Sequence, residues 1–170
     1  MFEESLTMKR LNFLAPVWMF LLGGALGILS KLLDIYTSNL GNIFSQMSIW
    51  ILLGTLIAIF SKTKAKAALN VSVLCVGMLI TYYITAELTN SVYSMTFIYG
   101  WAAFSACSPV FAILTWMTKE KGALGKIISV GILLVTLMVS VVAFDGPRVY
   151  DIVITPILAY FLFIHKVKRG

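Results

Sequence analysis

The chain has 170 residues, 60% of them hydrophobic and only 12% charged, with a formal net charge of +6. About a quarter of the residues in an ordinary soluble domain are charged, so a soluble fold of this length lacks the polar surface to cover so much apolar material. A bilayer core about 30 Å thick takes roughly 20 apolar residues per helical crossing; six such runs leave too little chain for a separate soluble domain.

In chain order, Glu3, Glu4, Lys9 and Arg10 precede the first apolar run. A signal peptide starts the same way. This run, however, continues past Gly27 without a small-x-small cleavage site, so it is read as a first helix over residues 11–33. Gly23 and Gly27 form a G-x-x-x-G pair that lets helix backbones approach closely in lipid. Packing within the chain is the first reading of that pair, and contact with another subunit the second. Lys31 and Asp34 follow, three apart and so on one face. Turn residues Ser38, Asn39, Gly41 and Asn42 lead to Gln46 and a second helix over 43–60.

Lys62, Lys64 and Lys66 come next. The third helix covers 67–86 and exits through Tyr82, Tyr83 and Glu87. The fourth covers 91–117, with Tyr93, Tyr99, the small-residue pair Ala102 and Ala106, and Pro109. Lys119, Lys121 and Lys126 introduce the fifth, over 123–144. Asp145-Gly146-Pro147 signals a turn. Arg148 and Asp151 then open a sixth helix over 149–164, interrupted by Pro156 and followed by His165, Lys166, Lys168 and Arg169. The short connections predict that successive helices pack as antiparallel neighbours.

Eleven of the thirteen basic residues fall in four clusters on alternate sides of these runs. That is the positive-inside pattern of an all-α, six-pass bundle in the cell membrane, with both termini cytoplasmic. The expected partners of the cations are anionic lipid headgroups. Nucleic acid is not an expected partner. The inner lysines read as plain topology anchors.

The outer side gathers mixed charges and aromatics. Lys31, Asp34, Gln46, Tyr83, Glu87, Tyr99, Arg148 and Asp151 are the candidate ligand-binding residues. Ionisable groups within a span cost about 2.5–3.5 kcal/mol each on insertion scales, and a few polar groups among aromatic faces suit a small amphiphilic solute. The same residues also fit an interfacial belt, since Tyr and Trp concentrate at membrane surfaces and Lys31 can snorkel to headgroups.

Catalysis is not expected. The one histidine, His165, lies at the cytoplasmic end, and no H-E-x-x-H, Walker lysine loop or G-x-S-x-G occurs. Cys75 and Cys107 read as free thiols within spans. No metal-ligand spacing exists, and no cofactor is implied.

The size, six-helix topology and cytoplasmic termini resemble the substrate-binding S-components of energy-coupling-factor transporters. The resemblance implies a solute pocket near the outer face. It also implies an A-x-x-x-A docking motif on the first helix, where this chain has Gly23-x-x-x-Gly27. The expectation is therefore a solute-binding or transport subunit; with no ATPase of its own, it would need partner subunits for active uptake. The alternative is a non-transporting accessory, immunity or sensor protein acting through helix–helix contacts, in which Gly23 and Gly27 matter most.

Overall fold

A computed structural model describes residues 2–37, 47–144 and 149–167. They form six helices and, among the described residues, no strand. These are α1 (Phe2–Tyr36), α2 (Met47–Phe60), α3 (Lys64–Leu88), α4 (Met95–Met117), α5 (Ala123–Phe144) and α6 (Val149–Ala159). The last runs on into a π-helical turn, Tyr160–Ile164.

Four stretches are long and apolar enough to cross a membrane: Ala15–Tyr36, Lys64–Leu88, Ile98–Met117 and Ala123–Val142. Between 17% and 33% of each apolar window is buried inside the protein, so most of these side chains face outward. Contiguous apolar surface of that extent is rare in water. In hydrocarbon it is the ordinary state, because each helix satisfies its own backbone. The helices α2 and α6 are apolar but shorter.

Two boundaries differ from the sequence expectation. The first helix starts at Phe2 rather than near residue 11; no glycine or proline interrupts the chain before Pro16, so nothing there stops a helix. The fourth starts at Met95 rather than 91, because the end of α3 uses the intervening residues. The amide of Ser91 donates to the Ala86 carbonyl at 3.0 Å, and that of Asn90 to Glu87 at 3.1 Å. Asn90 takes a left-handed φ of 49°. This is a Schellman closure with asparagine in place of the usual glycine.

Packing order also departs from chain order. The principal partner of α1 is α3 rather than α2. The two run parallel: Gly23 lies against Leu74, Gly27 against Met78, and Lys31 over Tyr82. On its other sides α3 carries α2 and α4. An antiparallel α3–α4 pair is evident from Ser72 facing Ser108 in mid-span and Tyr83 facing Tyr93 at one end. The pair α5 and α6 packs on α2, and α5 meets α2 and α4 to the same small extent. Both cysteines are free; Cys75 is buried and Cys107 exposed. Many buried hydroxyls, including Ser30, Ser129, Thr136 and Ser140, donate to the carbonyl four residues back on their own helix. Their polarity is thereby satisfied locally, without a ligand.

Candidate functional site

The sequence-derived polar residues fall into separate places. Lys31 is only 2% exposed, its ammonium 3.0 Å from Asp34, whose side chain is 43% exposed. The same ammonium sits 5.3 Å from the centre of the Tyr82 ring, close enough for cation–π attraction. Tyr82 donates weakly to Asp34 at 3.5 Å. Snorkelling, one of the two sequence expectations for Lys31, is therefore not what it does. Its stem and head are enclosed where α1 meets α3.

From Tyr82 the aromatic contact continues to Tyr83 (ring centroids 5.2 Å) and on to Tyr93 (5.7 Å), whose hydroxyl donates to Glu87. The Schellman turn at Asn90 folds Tyr93 back to make this contact. Lys31, Asp34, Tyr83 and Glu87 thus lie along one strip. Each charged group in it already has a partner.

Tyr99 is 72% exposed on α4. Asp151 is 2% exposed on α6, a helix whose main contacts are α2 and α5. Neither joins the strip. Gln46 and Arg148 lie outside the described residues. Of the expected packing pairs, Gly23 and Gly27 face α3 within the chain, whereas Ala102 is half-buried and Ala106 exposed.

A concave feature lies elsewhere. Between α4 and α5, a cleft of about 560 Å³ opens over a floor from α2 and α3. From α4 come Phe104, Ser108, Phe111 and Thr115; from α5 come Ile127, Gly131, Val135 and Val139. These spacings of three and four put one face of each helix toward the cleft. Trp50, Thr55, Cys75 and Met78 form part of the floor. Phe111, Ile127 and Val135 are each about half exposed or more, so the slot is open sideways between the two helices. Small-molecule sites of about 300–1,000 Å³ with mostly apolar walls are typical. Gly131 lies on the cleft wall with open space beside it: a Cβ added there meets nothing within 4 Å.

Sequence reasoning missed this cleft because its lining is apolar within apolar spans. The single usable signal was the spacing of four through Ile127, Gly131, Val135 and Val139, with a glycine among bulky residues.

The end of the cleft near the α4–α5 turn is cationic and tightly built. Lys64 pairs with Glu120 at 2.9 Å and lies 5.3 Å over the Trp116 ring. Trp116 donates its indole N–H to the Ser61 carbonyl at 2.9 Å. Lys119 donates to the carbonyls of Phe161, of Leu162 at 3.0 Å and of His165 at 2.7 Å. The π-helical turn leaves these carbonyls without helical donors, and a cation suits the negative end of a helix. Lys119 thus has a structural role in closing α6, and Lys64 a half-exposed pair with Glu120, in addition to the anchor role expected of the inner lysines. Replacing Lys119 with Met should cost about 1.5–3 kcal/mol, the range for hydrogen bonds to a charged group. Hydrogen exchange at residues 160–165 should then speed up while α3 keeps its protection.

A family model matches residues 7–167, nearly the whole chain, and its description is a family of unknown function, DUF6518. The chain belongs to the DUF6518 family. No curated protein and no solved structure matches it. Membership in DUF6518 carries no activity with it, so function is argued from the cleft and the charges around it.

Proposed function

We propose that this chain is a small six-pass protein of the cell membrane, both termini cytoplasmic, that binds an apolar or amphiphilic small molecule through the α4–α5 cleft. In this reading it is a solute-binding or transport subunit. The cleft carries the proposal: it has the volume of a ligand site, apolar walls and a lateral opening toward the bilayer. The four basic clusters support the orientation. On this reading α2 and α6 with its π-helical turn complete the six crossings. The outer strip of Lys31, Asp34, Tyr83 and Glu87 is then an architectural element rather than the ligand site.

The accessory-protein alternative relied on Gly23 and Gly27 meeting another subunit. Both are covered by α3, so that reading loses the surface it named.

Trp50 lines the cleft floor and is 6% exposed, which makes it a reporter. Dibromostearate should quench a fluorescence component that disappears in Trp50→Phe. Gly131→Phe projects a ring into open space and should reduce that quenching at least about fivefold, with the helical content unchanged; tenfold in affinity corresponds to about 1.4 kcal/mol. Quenching that persists in Gly131→Phe would place the ligand elsewhere.

A further inference from the structure

The α4–α5 cleft is polarised along its length. One end, at Thr115 and Ile127, adjoins the α4–α5 turn. At the other end, at Met47 and Val139, neither α2 nor the far half of α5 carries a lysine or arginine. Four lysines belong to the elements at the first end: Lys64 at the start of α3, and Lys119, Lys121 and Lys126 around the α4–α5 turn. Two of them are used by the fold, Lys64 by Glu120 and Lys119 by the carbonyls that close α6. Glu120, the sole acid of that turn, is consumed in the same way. Lys121 and Lys126 remain exposed, and no ion pair engages them among the described residues. Lys126 immediately precedes Ile127, the first α5 residue of the cleft wall.

The apolar stripe on α5 runs from Ile127 to Val139, about 18 Å at 1.5 Å per residue. That is close to the depth of one leaflet, half of a hydrocarbon core about 30 Å thick. A slot of leaflet depth, open sideways to lipid, with two exposed lysines at one mouth that no ion pair engages among the described residues, matches a molecule with an apolar tail and an anionic head. We propose that the cleft takes an acyl chain of an anionic phospholipid, drawn from the leaflet that faces the lysine-rich loops, with its phosphate held by Lys121 and Lys126. This rests on the cleft being the ligand site and adds the chemical class of the ligand. The occupant comes from the bilayer itself, because the opening is lateral and the cations sit at headgroup level.

The test is thermal stability of the delipidated full chain in a neutral maltoside detergent, with phosphatidylglycerol or phosphatidylcholine of identical chains added. Phosphatidylglycerol should raise Tm by about 5 °C more than phosphatidylcholine, as expected for a ligand present well above its Kd. In the Lys121→Glu, Lys126→Glu double variant that difference should fall below about 1 °C, with the phosphatidylcholine shift retained. In Gly131→Phe both shifts should shrink together. Equal shifts by the two lipids in the unaltered chain overturn the anionic-headgroup assignment and leave the cleft itself standing. Full shifts by both lipids in Gly131→Phe overturn the cleft.

Discussion

Replacing Gly27 with Ala should destabilise the protein by about 3 kcal/mol or more, the upper end for overpacking. A Cβ at Gly27 would fall 2.3 Å from the Met78 carbonyl oxygen and 2.2 Å from the Thr81 hydroxyl. The carbonyl is backbone and cannot rotate away. Relief requires moving α1 from α3, which also breaks the hydrogen bond from Thr81 to the Gly24 carbonyl at 2.8 Å. Gly23→Ala should behave similarly, its Cβ meeting the Leu74 oxygen at 2.2 Å. Gly24→Ala is the internal control, because its nearest neighbour is the Thr81 methyl at 3.3 Å. That contact is relieved by a few tenths of an ångström, and the cost should stay below about 1 kcal/mol. Equilibrium unfolding in mixed micelles reads all three. A Gly27→Ala protein as stable as Gly24→Ala would mean that α1 and α3 are not in this contact.

The same geometry explains why α1 and α3 pair although a helix intervenes in sequence. Two parallel helices repeat their contacts every four residues, so Gly23 and Gly27 meet Leu74 and Met78 in step. Gly77 answers from the other side, close to the Phe20 carbonyl and the Gly24 amide. The Gly-x-x-x-Gly spacing was legible in the sequence; its partner was not. In water a helix reveals its inward face by contrast, apolar against polar. Here Phe104 faces the cleft and Val110 faces outward, and both are apolar. Hydrophobic pattern therefore shows that helices exist and roughly where they end, yet leaves their neighbours undetermined.

Polar residues were more legible, but their roles were not. Spacing put Lys31 and Asp34 on one face, and they do pair. Nothing local indicated that Tyr82, on another helix, would cover the ammonium. Sidedness grouped Asp151 and Tyr99 with them, since sidedness is all that charge alternation supplies. Position around the bundle comes from helix packing, and packing sends α6 to α2 and α5. The lysines near the α4–α5 turn illustrate the same limit: Lys119 and Lys121 are two residues apart, and one closes a helix while the other stays exposed.

The second large effect is expected at Asp34. Lys31 is enclosed at 2% exposure, and Asp34 is its anionic partner at 3.0 Å. Removing one member of a buried pair leaves an uncompensated charge and costs about 3–5 kcal/mol. Asp34 is 43% exposed, so water recovers part of that loss, and Asp34→Ala should cost about 2–3 kcal/mol. The converse substitution should be far milder. In Lys31→Met an apolar stem of similar length stays against Tyr82, the buried charge is gone, and Asp34 turns to solvent. The net change should lie within about 1 kcal/mol of zero, since buried ion pairs are often replaced by apolar groups without loss. The double variant decides the matter. If the penalty in Asp34→Ala is the stranded ammonium, adding Lys31→Met should restore about 2 kcal/mol, a coupling typical of groups in direct contact. A double variant no more stable than Asp34→Ala alone would locate the cost in Asp34's contact with Tyr82 instead. In that case the carboxylate, not the ammonium, is the group that ties α1 to α3 at this end of the bundle.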